Sequence, residues 1–266
     1  MAKENNGKNE ENNMLMANGR SKKEQDSILY NRKKGTFLGR NLKAWGVGFQ
    51  PLLPEDPEST LIQFNSSDPE SYKRYVNTLD DYLAKYANTN NTRICTGSES
   101  NSDIISEGKV VSNTSVACRF SLDNFAKHGC SSEKEYGFAD GTPCVVLSLN
   151  RLIDWKPQDF ESAEIPPEVK GRYKPGSIAF RCDGTGPSDK ENIGNVEYLP
   201  ESGIDGRFYP YAVMSNYHQP IAMAKFVGLP KNRIVIMECR AYAKNIEQDF
   251  ATKLGMVTFE FFRVAN

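Results

Sequence analysis

Six cysteines are the feature of this 266-residue sequence that most restricts what it can fold into. They are even in number and widely spaced: Cys95, Cys118, Cys130, Cys144, Cys182 and Cys239. No two have the C-x-x-C spacing of zinc ribbons and thioredoxin-like redox sites, and the chain has only 2 histidines. This set predicts a disulfide framework, although the sequence alone leaves the pairing open. The alternative is a cytosolic protein with six buried free thiols, because cysteine packs well as a small hydrophobic residue.

Three N-x-[ST] sequons accompany the cysteines, at Asn65, Asn90 and Asn113. One sequon is a weak signal, but sequons together with paired cysteines favour a lumenal or extracellular domain. The targeting signals point the other way. The N-terminus has no apolar signal-peptide core, and no stretch approaches the roughly 18 apolar residues of a membrane span.

The N-terminal segment, residues 1–45, differs from the rest of the chain. Residues 1–34 are rich in Asn, Lys, Glu and Gly without hydrophobic periodicity, which predicts disorder. A basic cluster follows over 32–45 and ends at Trp45, as is typical of the cytoplasmic side of a membrane helix. The Gly/Pro-rich residues after it are expected to form a loop. We predict a disordered, cytoplasmic-type tail over 1–45 and one folded domain over 46–266.

The domain contains one clear helix pattern. Asp68 or Ser67 can cap its N-terminus, and Pro69 suits the first helical position. An apolar stripe with helical spacing then runs through Tyr72, Tyr75, Val76, Leu79, Tyr82, Leu83 and Tyr86. The opposite face is expected to be solvated and carries Lys73, Arg74, Asp80, Asp81 and Lys85. Such a stripe favours a helix packed on a sheet over a tyrosine-lined groove.

Strand patterns follow one another after about residue 94. They cover residues 116–122, 144–155, 177–182, 221–227, 234–243 and 256–264. The stretch from Gly184 to Gly194 is expected to be a long loop. Successive strands without alternating helices favour an antiparallel sandwich. The predicted fold class is mainly β, an antiparallel β-sandwich with one amphipathic helix inserted.

Catalytic and nucleic-acid functions have little support in the sequence. His128 and Cys130 are too close along the chain to form a Cys–His nucleophile pair, and a disulfide at Cys130 would abolish it. Gly184-Thr185-Gly186 lacks a helix-start pattern and is not a convincing phosphate loop. A formal net charge of −1 argues against a nucleic-acid partner. We predict no enzyme activity, no cofactor and no metal site.

An aromatic, turn-rich segment is the remaining candidate for a function. It contains Tyr209, Pro210, Tyr211, Tyr217, Gln219 and Pro220. Tyrosines are amphipathic and are enriched at protein–protein interfaces. By composition the segment fits an interface and a tyrosine-lined edge of the core equally well.

A set of short motifs, spread over nearly all of residues 36–266, resembles one known family. The motifs are FLGR (37–40), SDPESY (67–72), YGF (136–138), GTPC (141–144), LNR (149–151), WKP (155–157), GNVEY (194–198), YPY (209–211), YHQP (217–220) and ECRAY (238–242). In this order they resemble the β subunit of the sodium/potassium-transporting ATPase and, more generally, β subunits of potassium-counter-transporting P-type ATPases. Each motif alone is weak, whereas the ordered set is specific.

The resemblance implies a type II glycoprotein with an immunoglobulin-like ectodomain and disulfides Cys95–Cys118, Cys130–Cys144 and Cys182–Cys239. It implies a non-catalytic subunit that escorts the catalytic α subunit to the plasma membrane and tunes its potassium affinity. For the segment 209–220, the resemblance favours an interface with the α subunit over an edge of the core.

This sequence departs from the family at one place. The family's membrane helix is expected after Trp45, and the sequence contains no such stretch. Membrane association is therefore expected through the α subunit or through the missing helix. Two other readings remain: a soluble divergent isoform, secreted or cytosolic, that binds another protein, and the β subunit of a proton/potassium pump.

Overall fold

We analysed a computed structural model of the chain. It describes residues 30–31, 36–37, 40–41, 47–50, 59–105, 116–211, 214 and 216–265. The chain divides into two compact units, Met1–Ala44 and Trp45–Asn266. The predicted disordered tail over 1–45 lies largely outside the described residues. Within the first unit the structure describes three two-residue strands that form one antiparallel sheet, β1 (Tyr30–Asn31), β2 (Thr36–Phe37) and β3 (Arg40–Asn41).

The second unit is built mainly from strands, in agreement with the predicted fold class. Its strands are β4 (Val47–Gln50), β5 (Leu61–Phe64), β6 (Thr92–Arg93), β7 (Ala117–Cys118), β8 (Cys144–Leu149), β9 (Ser177–Gly184), β10 (Asn195–Leu199), β11 (Ile204–Asp205), β12 (Ile221–Val227), β13 (Ile234–Tyr242) and β14 (Met256–Arg263). Its α-helices are α1 (Pro69–Leu83), α2 (Ser102–Ile105), α3 (Asp123–Lys127) and α4 (Pro187–Asn192). Short 3-10 segments cover Ala84–Ala87, Ser132–Gly137 and Gly206–Phe208.

Two sheets face each other and form the sandwich. The four-stranded sheet has the order β10-β12-β8-β4, and the five-stranded sheet has the order β11-β9-β13-β14-β5. The Phe226 ring of the first sheet lies 5.9 Å from that of Phe259 and 5.1 Å from that of Phe261 in the second, edge to face. All three side chains are at most 1% exposed, so the core lies between the sheets. The prediction of an antiparallel β-sandwich with an inserted helix is confirmed.

Helix α1 begins as the sequence predicts. Asp68 is the N-cap, and its Oδ1 accepts a hydrogen bond from the backbone N–H of Glu70 at 3.2 Å. Pro69 occupies the first turn, where its missing N–H costs nothing. The buried side chains of the helix are Tyr72, Tyr75, Leu79 and Leu83, and the 3-10 turn that follows adds Tyr86. The helix therefore packs through the predicted stripe.

Phe138 forms the centre of the contact between α1 and the rest of the domain. Its ring stacks on those of Tyr72 and Tyr75, with centroids 5.7 and 5.6 Å apart and interplanar angles of 14° and 10°. The ring of Phe64, from β5, meets it edge-on at 5.2 Å. Since Phe138 is 0% exposed, these aromatic contacts are fully removed from water and hold the helix in place.

The chain reaches Phe138 through an unusual bend. Glu135 and Tyr136 have φ of 47° and 49°, a region that L-residues seldom adopt. Both are tied to the helix: the Tyr136 hydroxyl donates to Asp80 Oδ1 at 2.6 Å, and the Tyr72 hydroxyl donates to Glu135 Oε2 at 2.9 Å. Burial, together with the Glu135 carboxylate, raises the pKa of Tyr72 to about 12. The predicted solvated position of Asp80 was wrong, because this carboxylate anchors the bend.

Several predicted boundaries also differ. The segment after Trp45, expected to be loop, contains β4, which pairs antiparallel with β8 along the edge of the sheet. The predicted strand over 144–155 ends at Leu149, and Asp154 beyond it has φ 61°. The predicted strand over 116–122 shrinks to β7. One further departure is that β5 pairs in parallel with β14 within an otherwise antiparallel sheet.

The expected loop between Gly184 and Gly194 contains a helix. Gly186 is the N-cap of α4, and its backbone N–H donates to Asp189 Oδ2 at 3.0 Å. Asp189 Oδ1 also accepts from the N–H of Ile236 at 3.1 Å, which ties this turn to β13. The expectation that no helix starts here was wrong, because glycine replaced the usual Ser, Thr or Asp at the cap.

Candidate partner-binding surface

The predicted interface segment 209–220 is only partly accessible. Tyr209, Pro210 and Pro220 are buried in the folded domain. The Tyr209 ring meets the Trp155 indole edge-on at 5.3 Å, and its burial raises the pKa of the phenol well above its usual value. These three residues pack against the core of the domain and are not available for contact with a partner.

The remaining predicted residues, Tyr211, Tyr217 and Gln219, reach the surface around one cation. The two tyrosine rings lie 4.9 Å apart. The guanidinium carbon of Arg151 lies 5.6 Å from the Tyr211 ring centroid and 5.9 Å from that of Tyr217. Arg151 Nε also donates to Gln219 Oε1 at 3.1 Å. The exposed Arg151 side chain is thus positioned over both rings by hydrogen bonding and cation–π attraction.

The 3-10 turn that follows α1, Ala84–Ala87, adds a second cation to the same surface. The Tyr86 hydroxyl donates to the Gln219 carbonyl at 2.5 Å, so the helix end and the segment are joined directly. The Lys85 Nζ lies 3.7 Å from the centroid of the Tyr82 ring. Burial, and then the charge of Arg151, lower the pKa of Lys85 to about 8. We call Tyr82, Lys85, Arg151, Tyr211 and Tyr217 the cation–tyrosine surface.

Buried polar contacts fix the backbone beneath this surface. His218 is 4% exposed, and its Nε2 lies 2.8 Å from the carbonyl oxygen of Asn88. The Gln219 side-chain amide donates to the Leu149 carbonyl at the end of β8. The Tyr217 hydroxyl donates to the Phe208 carbonyl at 3.1 Å. The segment is therefore held by three hydrogen bonds, which give its half-buried rings of Tyr211 and Tyr217 a defined orientation.

Sequence reasoning identified Tyr211, Tyr217 and Gln219 but missed the two cations. Lys85 was assigned to the solvated face of the helix, and Arg151 was noted only within the LNR motif. A usable signal was present in the spacing of Tyr82 and Lys85, three positions apart on the helix, which places the ammonium over the ring. Nothing in the sequence indicated that Arg151 would join them.

The structure describes three disulfide bonds. They are Cys95–Cys118, Cys130–Cys144 and Cys182–Cys239, the pairs that the family resemblance implies. Cys182 and Cys239 are directly opposite each other on β9 and β13, so this bond links neighbouring strands within one sheet. Cys130–Cys144 joins the turn after α3 to the first residue of β8.

The structure describes two of the three predicted glycosylation sites. Asn90 is exposed, and its backbone N–H donates to Asn88 Oδ1 at 3.1 Å. Asn65 is half-buried, and its Oδ1 accepts from the N–H of Ser67 at 3.0 Å. Asn113 lies outside the described residues. Glycosylation at all three stays a prediction, for which Asn90 offers the more accessible side chain.

The thiol chemistry considered for Cys130 is not available in the folded chain. Its sulfur is bonded to Cys144, and His128 is exposed with Nδ1 2.8 Å from the Asn124 carbonyl oxygen. In the described part of the chain, no group of three or more His, Cys, Asp or Glu residues could hold a metal ion.

Comparison with known proteins identifies the family. The family model described as "Sodium / potassium ATPase beta chain" matches residues 46–259. The chain is 52% identical over 229 residues to a probable sodium/potassium-transporting ATPase subunit beta-3 of Caenorhabditis briggsae, covering 86% of this chain and 68% of the relative. It is 32% identical over 233 residues to subunit beta-2 of Drosophila melanogaster, covering 81% and 69%. It is 26% identical over 315 residues to subunit beta-1 of the same fly, covering 96% and 98%.

The matched residues contain strands β4 to β13, all six cysteines and the whole cation–tyrosine surface. Among the helices that the structure describes, none is both long enough and apolar enough to cross a bilayer. Because the family model covers most of the chain, and a relative at 52% identity covers 86% of it, this chain belongs to the sodium/potassium ATPase β chain family.

Proposed function

We propose that the chain is the non-catalytic auxiliary β subunit of a Na+/K+-exchanging P-type ATPase. In this role residues 46–266 form a disulfide-braced, extracellular-type domain, residues 1–45 form a cytoplasmic-type tail, and membrane association depends on the α subunit or on a membrane helix that this sequence does not contain. The subunit binds the catalytic α subunit, assists its folding, assembly and delivery to the plasma membrane, and modulates its K+ affinity. The observation that carries the proposal is the family match over residues 46–259.

The composition of the cation–tyrosine surface supports a binding role. Tyrosine and arginine are the residue types enriched at the energetic centres of protein interfaces. Here three tyrosines and Arg151 converge on one face, and Ile153 beside them is 62% exposed. An isolated β-bridge joins Ile153 to Tyr211, so this apolar side chain extends the same face.

The disulfides and sequons support the extracellular placement of the domain. Disulfides persist in oxidising compartments and are rare in the cytosol. The described bonds close separations of 23, 14 and 57 residues. By the chain-entropy relation each contributes about 3–4 kcal/mol to the free energy of unfolding, a contribution that reduced thiols would lose.

Co-expression with an α subunit tests the proposal. The full chain is produced with an α subunit in animal cells, the α subunit is captured, and the bound fraction is examined with and without glycosidase. We expect the chain to co-purify and to gain mobility after deglycosylation, with one step lost in Asn90→Gln. A chain that remains unbound and unglycosylated, while the α subunit matures without it, would contradict the proposal.

Two variants refine the same experiment. Tyr211→Ala with Tyr217→Ala removes two surface rings and should lower the co-purified fraction roughly tenfold, the size of a typical interface hot spot. Phe250→Ala is the matched control, because this ring is 67% exposed and lies outside the surface. Equal binding by both variants would place the α-facing contact elsewhere on the domain.

A further inference from the structure

The cation–tyrosine surface carries two positive charges, and neither forms an ion pair with another described residue. The described ion pairs of the domain involve seven contacts between basic and acidic side chains, and neither Lys85 nor Arg151 takes part in any of them. Arg151 donates through Nε to Gln219, and its two Nη groups have no hydrogen bond to the described residues. The Arg151 side chain is exposed, so these donors are within reach of a ligand.

Holding these two cations together is unfavourable for the isolated domain. Each charge lowers the stability of the other, and the partly buried ammonium of Lys85 also loses hydration. The faces of Tyr82, Tyr211 and Tyr217 compensate only in part, since an exposed cation–π contact is weak. A negative charge placed between Lys85 and Arg151 would remove the repulsion and use the open guanidinium donors.

We propose that the cation–tyrosine surface receives a carboxylate side chain, Asp or Glu, of the partner polypeptide between Lys85 and Arg151. This inference rests on the proposed function, and the partner is the α subunit. A carboxylate matches the planar donor fork of arginine in two parallel hydrogen bonds. The surrounding rings supply apolar area that excludes water from this contact, as the rim of an interface hot spot does.

The geometry favours a single carboxylate over a polyanionic ligand. Two cations flanked by neutral rings and by exposed Ile153 form a small site of mixed character, whereas nucleic acids and anionic membranes are bound by extended basic patches. Continuity with Tyr211 and Tyr217, the accessible part of the predicted interface, places the carboxylate on the same partner that covers those rings.

Charge reversal within the assembled complex tests the inference. The full chain is co-expressed with the α subunit as wild type, Arg151→Glu, Lys85→Glu and Lys170→Glu, and the retained fraction is measured at low and high salt. Lys170 is the matched control, since it is exposed and lies outside the surface. We expect Arg151→Glu to lower retention about tenfold or more at low salt, Lys85→Glu to lower it severalfold, and Lys170→Glu to leave it unchanged. Wild-type retention should fall with salt, and that dependence should flatten in Arg151→Glu.

The pH dependence of α-subunit retention gives a second readout, which would not change if Lys85 had only a structural role. The charged and titratable groups facing Lys85 are Tyr82, Tyr86 and Arg151, and burial keeps both phenols neutral near pH 8. A bound carboxylate favours protonated Lys85, so affinity should fall as the pH rises from about 7 to about 9.5. Lys85→Gln, which keeps the size of the side chain, should bind more weakly and lose this pH dependence. Lys85→Gln also replaces Lys85→Glu as the test variant if charge reversal prevents folding.

The outcomes separate the inference from the proposed function. If the wild type is retained, but Arg151→Glu and Lys85→Gln match Lys170→Glu at every salt concentration and pH, the inference is wrong and the auxiliary-subunit proposal stands. If the wild type is not retained, both fail. Binding of the purified chain to anionic vesicles, lost in Arg151→Glu while α retention is not, would overturn the carboxylate assignment in favour of a lipid surface.

Discussion

Replacing Phe138 with alanine should destabilise the domain more than any surface change. The side chain is 0% exposed and contacts three aromatic rings at centroid distances of 5.2 to 5.7 Å. A buried Phe→Ala change costs about 3–5 kcal/mol, and the aromatic contacts place this site near the middle or top of that range. With a denaturant slope of about 3 kcal/mol per M, a loss of about 4 kcal/mol lowers the urea midpoint by roughly 1.3 M.

The assay is urea unfolding of the oxidised full chain, followed by far-UV circular dichroism and tyrosine fluorescence. Phe138→Leu keeps most of the side-chain volume. It loses the ring stacking but leaves only a small cavity, so it should lower the free energy of unfolding by less than half as much as Phe138→Ala. Phe250→Ala, at a ring that is 67% exposed, should shift the midpoint by less than about 0.3 M. If Phe138→Ala shifts the urea midpoint by less than about 0.3 M, as expected for Phe250→Ala, the view that this ring holds α1 on the sandwich is refuted.

Three further predictions concern the bonds and charges of the same domain. Replacing Cys182 and Cys239 together by alanine should lower the free energy of unfolding by about 4 kcal/mol, because their bond closes the widest separation, 57 residues. Denaturant unfolding with the other cysteines oxidised measures this loss, and an unchanged free energy of unfolding would show that the bond is dispensable. Asp68→Ala should lower stability by about 1 kcal/mol through loss of the α1 cap, while Asp68→Asn should keep most of it. Lys85→Met should raise the melting temperature at pH 7, because the pKa of Lys85 is lower in the folded than in the unfolded state, so its protonated form destabilises the fold. The gain in melting temperature should shrink as the pH rises from about 8 towards 10.5, and a gain that does not depend on pH would exclude this cause.

Local rules account for the elements that the sequence predicted well. The α1 stripe follows the helical period, and Asp68 and Pro69 mark its start, so the observed Pro69–Leu83 helix agrees with the pattern. Strand β12, Ile221–Val227, has the predicted bounds because a buried apolar run there is flanked by Pro220 and Gly228.

The missed elements depend on partners that are distant in the chain. Strand β4 is a strand because β8 offers it a free edge, and its own residues, Val47–Gln50, include a glycine that argues against one. The surface was missed for the same reason. Lys85 and Arg151 belong to separate local patterns. Lys85 lies over Tyr82 and Arg151 lies over Tyr211, and only the tertiary fold brings the two charges near each other.

The cation–tyrosine surface is assembled from three parts of the chain that meet only in the finished fold. Tyr86 and Gln219, joined by one hydrogen bond, are 133 positions apart, and Arg151 and Gln219 are 68 apart. An incomplete or misfolded chain therefore cannot display it, whatever local structure that chain retains. If the proposed α subunit requires this surface, its binding distinguishes completely folded from incompletely folded subunits, and assembly then acts as a check on folding.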